Sequence, residues 1–271
     1  MQLSRILAPL ALLLATPAAA HDFWIEPDAF RAESGMPVAL RFLVGEPGAV
    51  EHWSTEWRKI VSLQDFGPDG VTDLAASIRP ANPPETPLEA VDATVSLAGA
   101  GTHVLAFVSN HAVSELPAAE FEDYARHEGL AHLIGLRAAA GKSAANGREL
   151  YSRRAKALIQ IGPRATDSVS RPIGQTLEIV PLTNPALLAS GTPLRLRVLF
   201  HGAPLAGASV VLEALGPEAK HGEPQITDAK GEVSFTPDRT GSWKAATIWS
   251  YPIEDPRADY ETIFSTLTFG F

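Results

Sequence analysis

"PLRLRVLF", Pro193–Phe200, alternates along its length. Leu194, Leu196, Val198 and Phe200 fall on one face, and Arg195 and Arg197 fall on the other. A period of two with charge on one side marks a half-buried antiparallel strand. Working outward, residues 176–271 hold six such runs: 176–181, 193–201, 207–214, 231–236, 242–249 and 261–271. "TDAKGEVSF" and "TPDRTGSW" supply turn residues between them, at Asp228, Gly231, Asp238 and Gly241. That number and spacing predict an immunoglobulin-like β-sandwich over 176–271.

The same pattern recurs upstream. "VALRFLV" puts Val38, Leu40, Phe42 and Val44 on one face. Strands are expected at 22–26, 37–44, 59–64, 92–97, 102–109 and 155–161. One stretch differs, with acids early, few β-branched residues, and Phe121, Tyr124 and Ala125 at helical spacing. It predicts a helix over about 117–128, a break at Gly129 and a second short helix to about 139. "GPRATDSVSRP" at 162–172 reads as a connection. The expected architecture is mainly β. Two β-sandwich domains, 21–161 and 176–271, are joined by a linker at 162–175, and the first carries a helical insertion at about 115–140.

The chain has 22 prolines and 21 glycines spread as punctuation, and no cysteine. The lack of cysteine removes thiolate metal sites, thiol nucleophiles and disulfide support. A formal charge of −9 argues against nucleic acid as a partner. Met1–Ala20 has the parts of a cleavable export signal: a basic start, the apolar run "ILAPLALLLA" and the small-residue end "TPAAA". That run is too short to span a bilayer, which takes about 20 residues. No cysteine follows it to carry a lipid anchor. The expected location is the periplasm.

Cleavage after Ala20 would make His21 the first residue. A terminal histidine offers a metal its α-amine and its ring, and a second imidazole would complete a three-nitrogen set suited to Cu(II) or Ni(II). Asp22 is a short anionic side chain placed to assist. The alternative is that His21 merely begins a strand. His52, in "EHW", and His103 are the candidates for a second imidazole. His103 and His111 share strand parity but would lie about 26 Å apart in an extended strand, so one ion cannot take both. "HEGLAH", His127–His132, has its histidines five apart and interrupted by Gly129, which does not match the four-residue spacing of zinc proteases. It reads as a polar helix face. No nucleophile elbow or phosphate loop is present.

Several stretches together carry a resemblance. They are "HDFWIEP", "ELYSRRAKALIQIG" (149–162), "LEIVPLTNP" (177–185), "HGAPLAGASVVLE" (201–213), "TDAKGEVSFTPDRTGSW" (227–243) and "IFSTLTF" (263–269). In this order they resemble the periplasmic proteins grouped as domain of unknown function 4198. Some of these are described as NikK- or NikM-like periplasmic components of nickel and cobalt uptake. The resemblance implies a two-part, mainly β periplasmic protein associated with transition-metal uptake; with the terminal-histidine reading, the expected cofactor is nickel, cobalt or copper and the expected partner a membrane metal-transport complex. His21 and Asp22 match the family's opening, and Tyr151, Arg153 and Lys156 match its "YSR-x-AK" stretch. Where the family pattern has a histidine after a Val-Gly pair, this chain has Glu46. A second family histidine, after the strand with the second-domain tryptophan, gives way to "IWSYP" (248–252).

The basic residues of "YSRRAK" have two readings. Tyr151, Arg153 and Lys156 could hold an anion or a carboxylate of the other domain, or they could line the solvent edge of a strand. Three function classes follow. The first is a metal-handling periplasmic protein and not an enzyme. The second is a metal-free module that docks on a membrane transport complex. The third is a copper oxidase built on the N-terminal histidine.

Overall fold

A computed structural model of the chain describes residues 22–80, 86–189, 191–237 and 241–271. The segment 1–21, with His21, lies outside them. The strands in chain order begin with β1 (Asp22–Pro27), β2 (Arg31–Ala32), β3 (Pro37–Glu46), β4 (Ala49–His52), β5 (Ile60–Gly67) and β6 (Gly70–Asp73). Next come β7 (Ala93–Ser96), β8 (Gly101–Ser109), β9 (Ala112–Leu116), the helices α1 (Ala118–His127) and α2 (Ala131–Ala139), and β10 (Gly147–Ile161). The rest are β11 (Leu177–Pro181), β12 (Leu194–Phe200), β13 (Ala203–Pro204), β14 (Ser209–Ala214), β15 (Gln225–Ile226), β16 (Glu232–Phe235), β17 (Ser242–Asp255) and β18 (Ala258–Gly270). The chain is mainly β and sandwich-like, and the two helices fall where the 115–140 insertion was expected.

The strands make three sheets. One carries β1, β3, β4 and β7, and another carries β11, β12, β13 and β16. Between them runs a ten-stranded sheet in the order β15-β14-β17-β18-β10-β8-β5-β6, with β2 and β9 also on β10. This central sheet does not stop at the 162–175 connection. β10 lies parallel to β18, from Glu149 beside Tyr260 to Ala157 beside Thr268. The two sandwiches therefore share a sheet, each using one of its faces.

Alternation along the strands explains that sharing. Ala155, Ala157, Ile159 and Ile161 point to one face and pack with Phe23, Ile25, Leu40 and Phe42 of the first sheet. Leu158 points the other way, as do Ile263, Leu267 and Phe269, and these pack on Leu177, Ile179, Leu196 and Val198 of the third sheet. The helices cover what remains of the first face, burying Phe121, Ala125 and Leu133 against Ile248, Tyr260 and Phe264. "YSRRAK" sits inside this arrangement. The solvent-edge reading of that stretch is corrected: β10 begins at Gly147, ahead of the expected 155, and has partners on both sides.

Lys156 points to the third sheet. Its Nζ donates to Glu178 Oε1 at 2.9 Å, with both side chains almost wholly buried. Burial pulls its pKa down, and Glu178 opposes that pull. Glu178 also accepts the backbone N–H groups of Ile173 and Gly174 at 2.9 and 3.0 Å, so both of its carboxylate oxygens are bonded. This ion pair ties β10 to the segment beyond the 162–175 connection.

Candidate metal centre in an acidic cleft

The first described strand is held firmly. Phe23 packs in an aromatic cluster, its ring centroid 4.9 Å from Phe107 and 5.0 Å from Trp53. Each such pair adds about 0.5–1.5 kcal/mol beyond burial. Thr266 and Thr268 Oγ1 donate to the carbonyls of Phe23 and Ile25 at 2.8 and 2.7 Å. Asp22 is thereby fixed at the end of β1, opposite Gly45 of β3. Gly45 has φ +139°, and a Cβ there would stand 2.1 Å from the Ala49 carbonyl oxygen. Only glycine allows that tight turn, and Glu46 follows it directly.

A second element arrives from the helices. α1 ends at His127, and Gly129 follows with φ +70°. Leu130 N–H bonds back to Ala125 O at 2.8 Å, a left-handed glycine C-cap. A Cβ at Gly129 would meet Ser209 at 2.8 Å, so the helix end lies directly on β14. His127 and Glu128 are delivered to the same place as Glu46. His127 Nε2 is 3.5 Å from Glu46 Oε1. Donor atoms of Glu46, His127 and Glu128 all lie within 4.8 Å of one another.

These three residues line a cleft of about 360 Å³ that also takes in Asp22, Glu213 and Lys244. Lys244 is almost wholly buried. It donates to Asp22 Oδ2 at 2.8 Å, lies 3.1 Å from Glu213 Oε2, and sits 4.6 Å from the Trp24 ring centroid. Burial works against its charge, but Asp22 and Glu213 outweigh burial and hold its pKa up. Lys244 and Arg126 stand on the cleft lining against Asp22, Glu46, Glu128 and Glu213. Glu128 is pushed up to about 9, first by burial and then by Asp22, Glu46 and Glu149. A divalent cation would offset that excess of negative charge, and one imidazole with carboxylates is a fair set for Ni, Co or Cu. The residues present fit a metal.

The other expected ligands lie elsewhere. His52 Nε2 is 3.2 Å from Leu88 O, and its Nδ1 is 3.2 Å from Asp92 Oδ2, close but off a hydrogen-bond axis. His103 is buried, with Nδ1 2.8 Å from Asp65 Oδ2 and Nε2 3.1 Å from Gly99 O. Burial disfavours its proton, but Asp65 and the Gly99 carbonyl prevail and raise its pKa. Both rings are committed to neighbouring oxygens, so neither joins Asp22; that expectation is corrected. His21 lies outside the described residues.

"HEGLAH" divides differently from a protease motif. His132 stacks on Trp249 with ring centroids 3.6 Å apart and donates from Nε2 to Ser250 O at 2.7 Å. His127 instead partners Glu46, a contact between residues far apart in sequence. The nearest sequence signal was Glu46 itself, standing where a histidine was expected. Tyr151, Arg153 and Lys156 do not form one group. Lys156 faces Glu178, whereas Arg153 lies 5.1 Å over the Tyr151 ring and 5.8 Å over Phe264 on the opposite face.

No helix of the described residues is long and apolar enough to cross a membrane. No curated protein matches the sequence. Among solved structures, the dimeric latent PorU of Porphyromonas gingivalis aligns at 11% identity, over 95% of this chain and 21% of that one. Its TM-score is 0.19, too low for the likeness to carry an argument. The family described as domain of unknown function DUF4198 matches residues 18–250, most of the chain, and the chain belongs to that family.

Proposed function

We propose that this chain is a periplasmic protein that binds a transition metal ion, nickel, cobalt or copper, and serves a membrane uptake complex for it. The observation that carries the reading is the convergence of Glu46, His127 and Glu128 donors within 4.8 Å, beside Asp22. His21 is bonded directly to Asp22, so export-signal cleavage after Ala20 would leave a free α-amine one residue from Asp22 of the cleft. Glu46 and Glu128 would supply oxygen ligands and His127 a nitrogen. Lys244 holds Asp22 in position and keeps part of the negative charge neutralised.

The test is calorimetric titration of protein beginning at His21 with Ni(II), Co(II) and Cu(II). His127→Ala and Glu46→Gln should each lower affinity at least about tenfold, the usual scale for loss of a ligand or its close support. A Gly-Ser extension ahead of His21 should weaken binding as well, because it turns the amine into an amide. Binding should fall as pH drops, since the ligands must shed protons. If His127→Ala binds as tightly as the parent, this cleft is not the metal site. His127 also favours a second reading, a copper-dependent oxidase, by offering the second imidazole. Turnover of oxygen with a reductant and bound copper separates the two.

A further inference from the structure

The floor of the acidic cleft is a strip of sheet face, to which β14 supplies Ser209 and Glu213 and β17 supplies Lys244. Strand alternation puts Ser209 and Glu213 on the same side of β14. The end of α1 lies on Ser209, through the contact at Gly129. The β3–β4 turn adds Glu46. The remaining wall is the connection from β14 to β15, residues 215–224, and it contributes His221. Among the described residues, His127 and His221 are the two histidines on the cleft lining.

His221 is fixed at its backbone and loose at its ring. Gly222 N–H donates to Glu213 Oε1 at 3.3 Å, and a Cβ on Gly222 would stand 2.4 Å from the Leu212 carbonyl oxygen. The connection therefore lies directly on β14 at this point. The His221 side chain is 64% exposed, and its Nδ1 is 3.7 Å from Glu213 Oε1, beyond hydrogen-bond range. Glu213 is already engaged by Gly222 through Oε1 and by Lys244, 3.1 Å from Oε2. Among the described residues no hydrogen bond holds either ring nitrogen of His221. The imidazoles of His52, His103, His111 and His132 all have an oxygen partner. Glu46 links the two ends of the cleft. It lies 3.5 Å from His127, and with Glu213 and Lys244 it lines the depression that adjoins the cleft. The helix end on Ser209 and the connection on Glu213 are four residues apart along β14, about 13 Å. Two histidine side chains with an ion between them can close that span.

We propose that His221 is a further imidazole ligand of the cleft, swinging from its backbone anchor to coordinate the ion opposite His127. The inference rests on the metal reading above. It also gives the cleft its selectivity. Carboxylates alone suit Mg(II) and Ca(II) as well as transition metals, because hard cations take oxygen ligands. A second side-chain imidazole favours Ni(II), Co(II) and Cu(II). Loss of His221 therefore costs affinity for those three ions and leaves Mg(II) untouched.

The experiment uses protein beginning at His21, with His221→Ala and His127→Ala, titrated calorimetrically with Ni(II), Co(II), Cu(II) and Mg(II). His221 is an exposed side chain, so the thermal midpoint of His221→Ala should stay close to the parent's. Its affinity for Ni(II), Co(II) and Cu(II) should fall at least about tenfold, with Mg(II) binding unchanged. Proton NMR of the Co(II)-bound protein supplies a readout apart from affinity. Imidazole N–H resonances shifted by the paramagnetic ion should number one fewer in each variant than in the parent. If His127→Ala weakens binding while His221→Ala matches the parent in affinity and resonances, the His221 ligand is overturned and the cleft reading stands. A fall in affinity with the full set of shifted resonances also overturns it, because His221 would then act from outside the ligand set. Loss in His221→Ala with none in His127→Ala supports His221 and overturns the site centred on His127. No binding of any ion by the parent overturns both.

Discussion

Two buried lysines meet the same problem with different results. Lys156 faces one carboxylate, Glu178, which also accepts two backbone N–H groups. The joint pairs one positive with one negative charge and is closed to solvent. Lys244 faces Asp22 and Glu213, with Glu46 and Glu128 close by, and the balance stays negative in a cleft open to solvent. A balanced buried pair holds two segments of sheet together, whereas an unbalanced one leaves negative charge for a ligand to complete. Both lysines lie on long central strands, so the difference comes from what packs opposite them.

The largest effect should come from breaking the balanced joint. Lys156→Met leaves Glu178 buried and unpaired and should cost about 3–5 kcal/mol in urea denaturation. Lys156→Met with Glu178→Leu should recover much of that loss, because a matched apolar pair carries no stranded charge. A single-variant cost near zero would mean that water reaches the joint.

The cleft should respond in the opposite sense. Glu128 is raised from 4.5 to about 9 in the fold, so its carboxyl prefers to stay protonated there. Between those two values the folded protein binds more protons than the unfolded chain, and stability declines as pH rises. Glu128→Gln removes that decline. It should leave metal-free stability at pH 4 unchanged and raise it at pH 8 by about 1–3 kcal/mol, discounted for partial exposure. Chemical denaturation at the two pH values reads this directly. A stability loss at pH 8 would mean that Glu128 makes a favourable contact there.

A smaller effect tests how the cleft is assembled. Gly129→Ala forces a residue with a Cβ into φ +70° and against Ser209. The backbone strain alone is about 1–2 kcal/mol. Lower metal affinity should accompany it, because His127 and Glu128 shift with the helix end. Strain with unchanged affinity would separate helix capping from the site.

Much of the fold was legible in local pattern. The alternation of "VALRFLV" and "PLRLRVLF" appears as β3 and β12, and the break at Gly129 separates α1 from α2. The site was harder to read, because its parts come from distant places. Glu46, His127 and Glu213 each look like a surface residue in their own neighbourhoods. His52 and His103 drew notice as unattached imidazoles, but the fold provides Asp92 and Asp65 for them.

The sequence by itself determined the strand periodicity, the helical insertion, the absence of thiol chemistry and the family, since these follow from residue type and short-range spacing. Only the tertiary structure decided that two sandwiches share one sheet, and that β10 lies at its centre and not at an edge. A parallel partner such as β18 carries no signature in β10's own residues. The tertiary structure also decided which buried charges balance. Charge balance depends on which side chains desolvate together, and that is set by how the sheet faces and the helix end pack, with partners as far apart in sequence as Asp22 and Lys244.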